Sequence, residues 1–217
     1  MRFKTLSAIL ILLFLCSCAT VNNDISNSNN SGEDFYTRAI TALGTNNYRE
    51  AEIYFLKSLK AGYKLVGSYY YLGLIEYKLG NLDKSEDYLK KCISLDGKLS
   101  DAHNTLGAIY AEKKEYRKAI EEFEIVLKDK SYLFPENALY NLALLHYNLG
   151  EYDRSMLYCK KSLKVVPKSP AVYYLIGLNL YKKGLKRESK IIMLNIIKEF
   201  PENIWGIKAR NFLKKKL

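Results

Sequence analysis

From Tyr48 onward the chain alternates short runs of apolar residues at helical spacing with brief polar breaks. The stretches YYLGLIEYKLGNLDKSEDYLKKCISL (70–95) and NTLGAIYAEKKEYRKAIEEFEIVLKD (104–129) align without a gap, Leu72-Gly73 falling on Leu106-Gly107. The same 34-residue step carries Ala51 to Ser85 to Ala119, and Phe55 to Leu89 to Phe123. Two blocks of three-to-four spacing in each step predict two short amphipathic helices per copy. Gly80, Gly150 and Gly184 fall between the paired helices, where a positive φ is wanted. Pro135, Pro167, Pro170 and Pro201 all fall at predicted helix boundaries.

Five copies can be phased, at about 32–65, 66–99, 100–131, 136–169 and 170–203. Position 8 of the copy is Ala39, Gly73, Gly107, Ala143 and Gly177, and position 20 is Ala51, Ser85, Ala119, Ser155 and Ser189. Every one is small, because two helices that cross closely there cannot hold a bulky side chain between them. Position 24 is Phe55, Leu89, Phe123, Cys159 and Met193, read as knobs that fill the neighbouring gap. Beyond them, residues 203–217 (NIWGIKARNFLKKKL) place Ile204, Ile207, Phe212 and Leu213 on a helical period. That segment is expected to cap the array with a polar outer side, Trp205 helping to seal the fifth copy.

A 34-residue period of two helices resembles the tetratricopeptide repeat. The resemblance implies an all-α, right-handed α-solenoid of about five repeats with a C-terminal capping helix, residues 34–202 forming the repeats. In that fold the first helix of each hairpin lines a concave face, mainly through positions 2, 5, 9 and 12. Position 5 is Tyr36, Tyr70, Asn104, Tyr140 and Tyr174; position 9 is Ile40, Leu74, Ala108, Leu144 and Leu178; position 12 is Leu43, Tyr77, Ala111, Tyr147 and Tyr181. The expected partner-binding groove is therefore Tyr36, Tyr70, Leu74, Tyr77, Tyr140, Leu144, Tyr147, Tyr174, Leu178 and Tyr181, with a smaller lining in the third repeat. Apolar lining of this extent suits a protein partner; the competing reading is that the tyrosines stack between repeats. Tetratricopeptide co-chaperones that grip a terminal carboxylate need Lys and Asn at positions 5 and 9, so that use is not expected.

The N-terminus has another logic. Arg2 and Lys4 precede an apolar run from Leu6 to Leu15, the order of a secretory signal. The run falls short of the roughly 20 residues that span a bilayer. Leu15-Cys16-Ser17-Cys18 resembles a bacterial lipobox, which Cys18 fits better than Cys16; an ordinary signal peptide is the alternative. The resemblance implies removal of residues 1–17, lipidation (palmitate among the acyl chains) at Cys18, and, with Ala19 following, the periplasmic face of the outer membrane. Residues 18–33, rich in Asn and Ser, read as a flexible tether. Of the remaining thiols, Cys92 and Cys159 lie two repeats apart and are expected to be free core residues.

Composition adds limits. No nucleophile–base pairing, phosphate loop or metal-ligand spacing occurs, and His103 and His146 fall where packing aromatics belong, so neither an enzyme nor a cofactor is expected. The 19 tyrosines, alongside abundant Lys, Asn and Ile, fit either grooves or a coding bias. Residues 160–217 hold 15 Lys/Arg against 3 Asp/Glu, whereas residues 18–159 hold 17 against 20. A basic end could meet anionic headgroups or an acidic partner, or be a solvated cap. Export argues against nucleic acid.

The period slips once, from 34 to 36 residues, within Ser131–Glu136 of SYLFPENALYNLALLHYNLG. With the lipobox, tether and tandem repeats, this insertion resembles the outer-membrane lipoproteins of type IV pilus biogenesis, the pilotins that help a secretin assemble. In that family a Tyr-Pro-containing insertion precedes the corresponding repeat; here Phe134 stands before Pro135. The implied role is that of a monomeric scaffold for outer-membrane localisation and oligomerisation of a secretin. An adaptor for peptidoglycan enzymes and a general repeat scaffold are the alternatives.

Overall fold

A computed structural model describes residues 31–216, and the apolar run, Cys16, Cys18 and residues 19–30 lie outside the described residues. The described residues form eleven helices and no strand. They divide into two compact units, one ending at Gly97 and one beginning at Lys98. In the first, α1 (31–44) and α2 (Tyr48–Lys60) precede α3 (Leu65–Lys78) and α4 (Leu82–Leu95). In the second, α5 (Ser100–Glu112), α6 (Tyr116–Lys128), α7 (Pro135–Asn148), α8 (Tyr152–Val165), α9 (Pro170–Lys182) and α10 (Lys186–Glu199) form three hairpins, followed by α11 (Ile204–Lys216).

The hairpins close where the small residues predict. A Cβ built on Gly73 would meet Leu89 Cγ at 2.7 Å, one on Gly107 would meet the Phe123 ring at 2.8 Å, and one on Gly177 would meet Met193 Cε at 2.6 Å. Position 24 therefore presses directly on position 8, and Ala39, Ala51, Phe55, Leu89, Phe123, Ala143, Cys159 and Met193 are all buried. Serine at position 20 does more than stay small. Ser85, Ser155 and Ser189 donate to the carbonyls of Gly73, Ala143 and Gly177 at 2.5, 2.7 and 2.8 Å, tying the second helix to the first. Ser155 also accepts from Asn179 Nδ2 at 2.9 Å, a fully buried amide on α9 that further donates to the Leu175 carbonyl. This bond links two successive hairpins.

Each hairpin turn has one construction. The residues at 46, 80, 114, 150 and 184 all have φ between 58° and 83°, with Asn46 and Lys114 where the other three turns have glycine. The following amide reaches back to close the first helix, as in Asn81 N to Glu76 O at 2.9 Å and Glu151 N to His146 O at 2.8 Å. Such closures satisfy carbonyls left open at a helix end. Pro135 and Pro170 occupy the first turns of α7 and α9, where no amide hydrogen is needed.

Two expectations, on the tether and on the last helix, are revised. The tether was expected to run through residue 33, but the chain is already helical at 31. Gly32 is buried there against Ala61 and Tyr63, so close that a Cβ would meet Tyr63 Cβ at 2.6 Å. In α11, Ile204 and Ile207 face outward at 56% and 41% exposure, while Gly206 and Ala209 take the buried side. The reason is room: Gly206 lies against the Phe200 carbonyl, leaving no space for a larger residue. Trp205, Phe212 and Leu213 still pack on Met193 and Ile196, closing the last hairpin. The histidines are buried, as packing predicts, but each has a carboxylate partner: His103 Nδ1 with Glu122 at 2.6 Å, and His146 Nδ1 with Glu151 at 2.7 Å.

The slip in the repeat is an ordered turn. Asp129 accepts from the Ser100 hydroxyl at 2.7 Å and from the Ser131 amide and hydroxyl at 2.9 and 2.6 Å. Tyr132 donates to Asp101 at 2.6 Å. The two extra residues thereby push Leu133 out to 80% exposure, with Phe134 exposed beside it. Cys92 and Cys159 are free and buried; burial pushes their thiols up to about 11 and about 12, which keeps them unreactive.

Ser155→Ala should destabilise the protein by about 1–3 kcal/mol, because it also strands the Asn179 amide; Ser189→Ala, losing one bond, should cost about 1 kcal/mol. Gly107→Leu should cost roughly 1–3 kcal/mol by overpacking against Phe123. Urea unfolding followed by far-ultraviolet circular dichroism measures all three. A second expectation concerns the inserted turn. Hydrogen bonds from Ser131, then Ser100, hold the Asp129 carboxyl below the usual carboxylate range. A depressed carboxylate contributes above its unfolded value and is lost as pH falls through the folded one, below about pH 4. The Tyr132 ring signals in NMR should therefore shift on acid titration in that window, and Asp129→Ala should show the shifted signals at neutral pH.

Candidate protein-docking faces

The first helices of the hairpins carry the residues expected to line a groove, and each unit presents its own set. In the first unit, Tyr36, Tyr70, Leu74 and Tyr77 are half-buried. Tyr36 is held by packing: its ring meets those of Phe55, Tyr63 and Tyr71 at 5.6, 6.0 and 6.4 Å, and its hydroxyl lies over Gly67. Burial accordingly raises the Tyr36 pKa. Tyr70 lies beside Tyr71, ring centroids 5.2 Å apart.

In the second unit, α7 contributes Tyr140, Leu144 and Tyr147, and α9 contributes Tyr174, Leu178 and Tyr181. Leu144 is exposed and the others are half-buried. Several of the rings lean on a later helix. Tyr147 meets Tyr152 at 5.8 Å, Tyr174 meets Trp205 at 5.5 Å, and Tyr181 meets Phe212 edge-on at 5.2 Å. Burial raises the pKa of Tyr140, Tyr147 and Tyr174, so these phenols stay neutral and offer hydroxyl donors at the rim of an apolar surface. Asn104, Ala108 and Ala111 on α5 are half-buried too, the smaller lining expected of the third repeat.

The tyrosines thus stack within and between hairpins along one edge of the ring, while the rest of the ring stays partly accessible. Sequence periodicity identifies the face. It carries no sign of which ring leans on which neighbour, nor of the exposed Leu133-Phe134 tip, whose exposure depends on the Asp129 turn. Among the described residues, no group of three or more His, Cys, Asp or Glu could hold a metal ion, and no helix is long and apolar enough to cross a membrane. The arrangement offers rigid aromatic and aliphatic surface, the means of binding a polypeptide.

Comparison with known proteins agrees with this geometry. Residues 66–99, 100–128 and 136–169 match the tetratricopeptide repeat. Anaphase-promoting complex subunit 3 of Schizosaccharomyces pombe is 24% identical over 169 residues, covering 72% of this chain and 25% of that protein. The chain thus spans only about a quarter of that relative's length. Among solved structures, MamA protein superposes with a TM-score of 0.68 at 21% identity, covering 86% of this chain and 96% of the other. The structure titled for functional characterisation of Pseudomonas aeruginosa pilF gives 0.68 at 16% identity, covering 87% and 93%. At these identities the structural likeness speaks for the fold. Five hairpins share one plan and three of them match the tetratricopeptide repeat directly, so the described residues form an all-helical fold of tetratricopeptide repeats, an arrangement that supports protein–protein interaction.

Proposed function

We propose that this protein is a lipid-anchored scaffold of the bacterial envelope that captures a segment of a type IV pilus secretin subunit and promotes its outer-membrane localisation and oligomerisation. The observation that carries the reading is the uncharged row Leu144, Tyr147, Leu178 and Tyr181 on neighbouring helices α7 and α9, accessible along one side and stiffened from beneath by Tyr152 and Phe212. A secretin subunit on its way to a barrel carries apolar strands that need cover before insertion, and a rigid apolar face supplies it at little ordering cost. Three further features support the reading: the lipobox at Cys18, the ordered insertion before α7, and the fold shared with pilF over most of both chains. The site of action would be the periplasmic face of the outer membrane, reached through a tether beginning at the lipidated Cys18.

Leu144→Glu should weaken binding of the secretin subunit at least tenfold while leaving helicity unchanged. In the free protein the new carboxylate meets water, but under an apolar partner it must be desolvated without a counter-charge. Tyr147→Ala should act in the same direction through lost contact area. Co-purification from envelopes and circular dichroism read the two effects. A deletion strain should hold secretin that is monomeric or misplaced; normal multimers there would rule the role out, and peptidoglycan enzymes in the crosslinked partner set would favour the adaptor reading. Cys18→Ser should release the folded protein into the periplasm on membrane fractionation, whereas Cys16→Ser should leave it bound.

A further inference from the structure

The outer faces of the helices differ in the charge that surrounds their exposed side chains. Repeat positions 22 and 25 point outward on the second helix of each hairpin. They are Ile53 and Leu56 on α2, Asp87 and Lys90 on α4, Glu121 and Glu124 on α6, and Leu157 and Lys160 on α8. On α10 they become Ile191 and Leu194, exposed to 57% and 48%. Around them stand Lys186, Arg187, Lys190 and Lys198, all exposed. Helix α11, packed against α10, continues the pattern: Ile204, Ile207, Lys208, Lys214, Lys215 and Lys216 are exposed, and the helix contains no acidic residue.

Counter-charge is scarce. On the earlier hairpins lysines pair with carboxylates of their own helix, as in Lys90 with Glu86 at 2.6 Å and Lys118 with Glu115. Among the described residues, no carboxylate lies within ion-pair distance of Lys186, Arg187, Lys190, Lys198, Lys214, Lys215 or Lys216. The acids of this region sit aside from the stripe. On a helical period Glu188 and Glu199 fall on the flank of α10 away from Lys190, and Glu199 lines a cavity with Lys168 and Tyr173. Glu202 lies in the turn before α11.

We infer that the outer face of α10 and α11 docks on an anionic phospholipid surface. Unpaired lysines around solvent-facing Ile and Leu are the arrangement of an interfacial helix: the aliphatic side chains enter the headgroup boundary, and the long lysine stems keep their ammonium groups among the phosphates. An acidic protein would need the cations alone; the bare isoleucines favour the bilayer. The stripe is distinct from the Tyr147 and Tyr181 face, and the inference is independent of the secretin reading. A surface held this way would set the orientation of the second unit at the membrane.

The test is sedimentation of the purified full chain with vesicles of phosphatidylcholine alone or with one third phosphatidylglycerol. The zwitterionic vesicles report whatever the N-terminal apolar run contributes; the difference between the two reports the basic face. Binding should be stronger to the anionic vesicles and should fall with salt. Reversing Lys190, Lys198, Lys214 and Lys215 to Glu should reduce that preference at least about a thousandfold, from the attraction each cation gains at such a surface. Ile191→Ser with Leu194→Ser should weaken anionic binding several-fold with the salt dependence retained, and circular dichroism should be unchanged in both variants. Equal binding to the two vesicle types, or a preference that survives charge reversal, would overturn the inference. So would serine variants that bind like the parent, or capture of polyglutamate without any anionic-vesicle preference, which would assign the face to an acidic protein.

Discussion

Everything in this molecule depends on the distance at which two helices of a hairpin can cross. Residue 8 of the first helix and residue 24 of the second meet with no spare volume, as Gly107 does with Phe123 and Gly177 with Met193. A larger residue at either place must push the helices apart, since close-packed interiors have no slack to absorb it. The first helix is thereby fixed against the second, and its opposite side is left to present Leu144 or Leu178 outward. The candidate docking faces are thus a by-product of the crossing.

That dependence explains what the sequence discloses. Size at a tight crossing is dictated by geometry, so the small residues at positions 8 and 20 and the knobs at 24 mark the hairpins without any structure. Hydrogen bonding is less visible. A serine at position 20 satisfies the same steric rule as an alanine, and only its place beside the Gly73 or Ala143 carbonyl reveals the second function. The left-handed turns at Asn46 and Lys114 are hidden for a related reason, because neither residue announces a positive φ as glycine does. The last helix was legible in part: Trp205, Phe212 and Leu213 pack on the last hairpin, whereas Ile204 and Ile207 follow a helical spacing yet face solvent, and Gly206 sets the side that goes inward.

The candidate site was legible to the same degree and no further. Columns of tyrosine and leucine at positions 5, 9 and 12 locate the face because those positions share one side of a helix. Whether a ring stands free or leans on its neighbour depends on rotamers and on the next helix, as with Tyr174 against Trp205. Polar exceptions inside the core were invisible for another reason. His146 stacks on Tyr158 at 5.3 Å and pairs with Glu151, but histidine and glutamate five residues apart form no recognised signal in a list of residues.

That pair belongs to a place in the repeat where every hairpin differs. Residues 11 and 16 flank each turn: Glu76 with Asn81, whose amide donates to the carboxylate at 2.7 Å, His146 with Glu151, and the apolar Leu180 and Leu185. Tandem copies of similar sequence invite exchange, one hairpin's first helix closing on another's second helix in a neighbouring chain. Here such an exchange would set Glu76 against Glu151, two carboxylates in one site, or leave His146 facing Leu185 without a partner. Turns of this kind thus act as keyed joints that disfavour some exchanges between sibling hairpins.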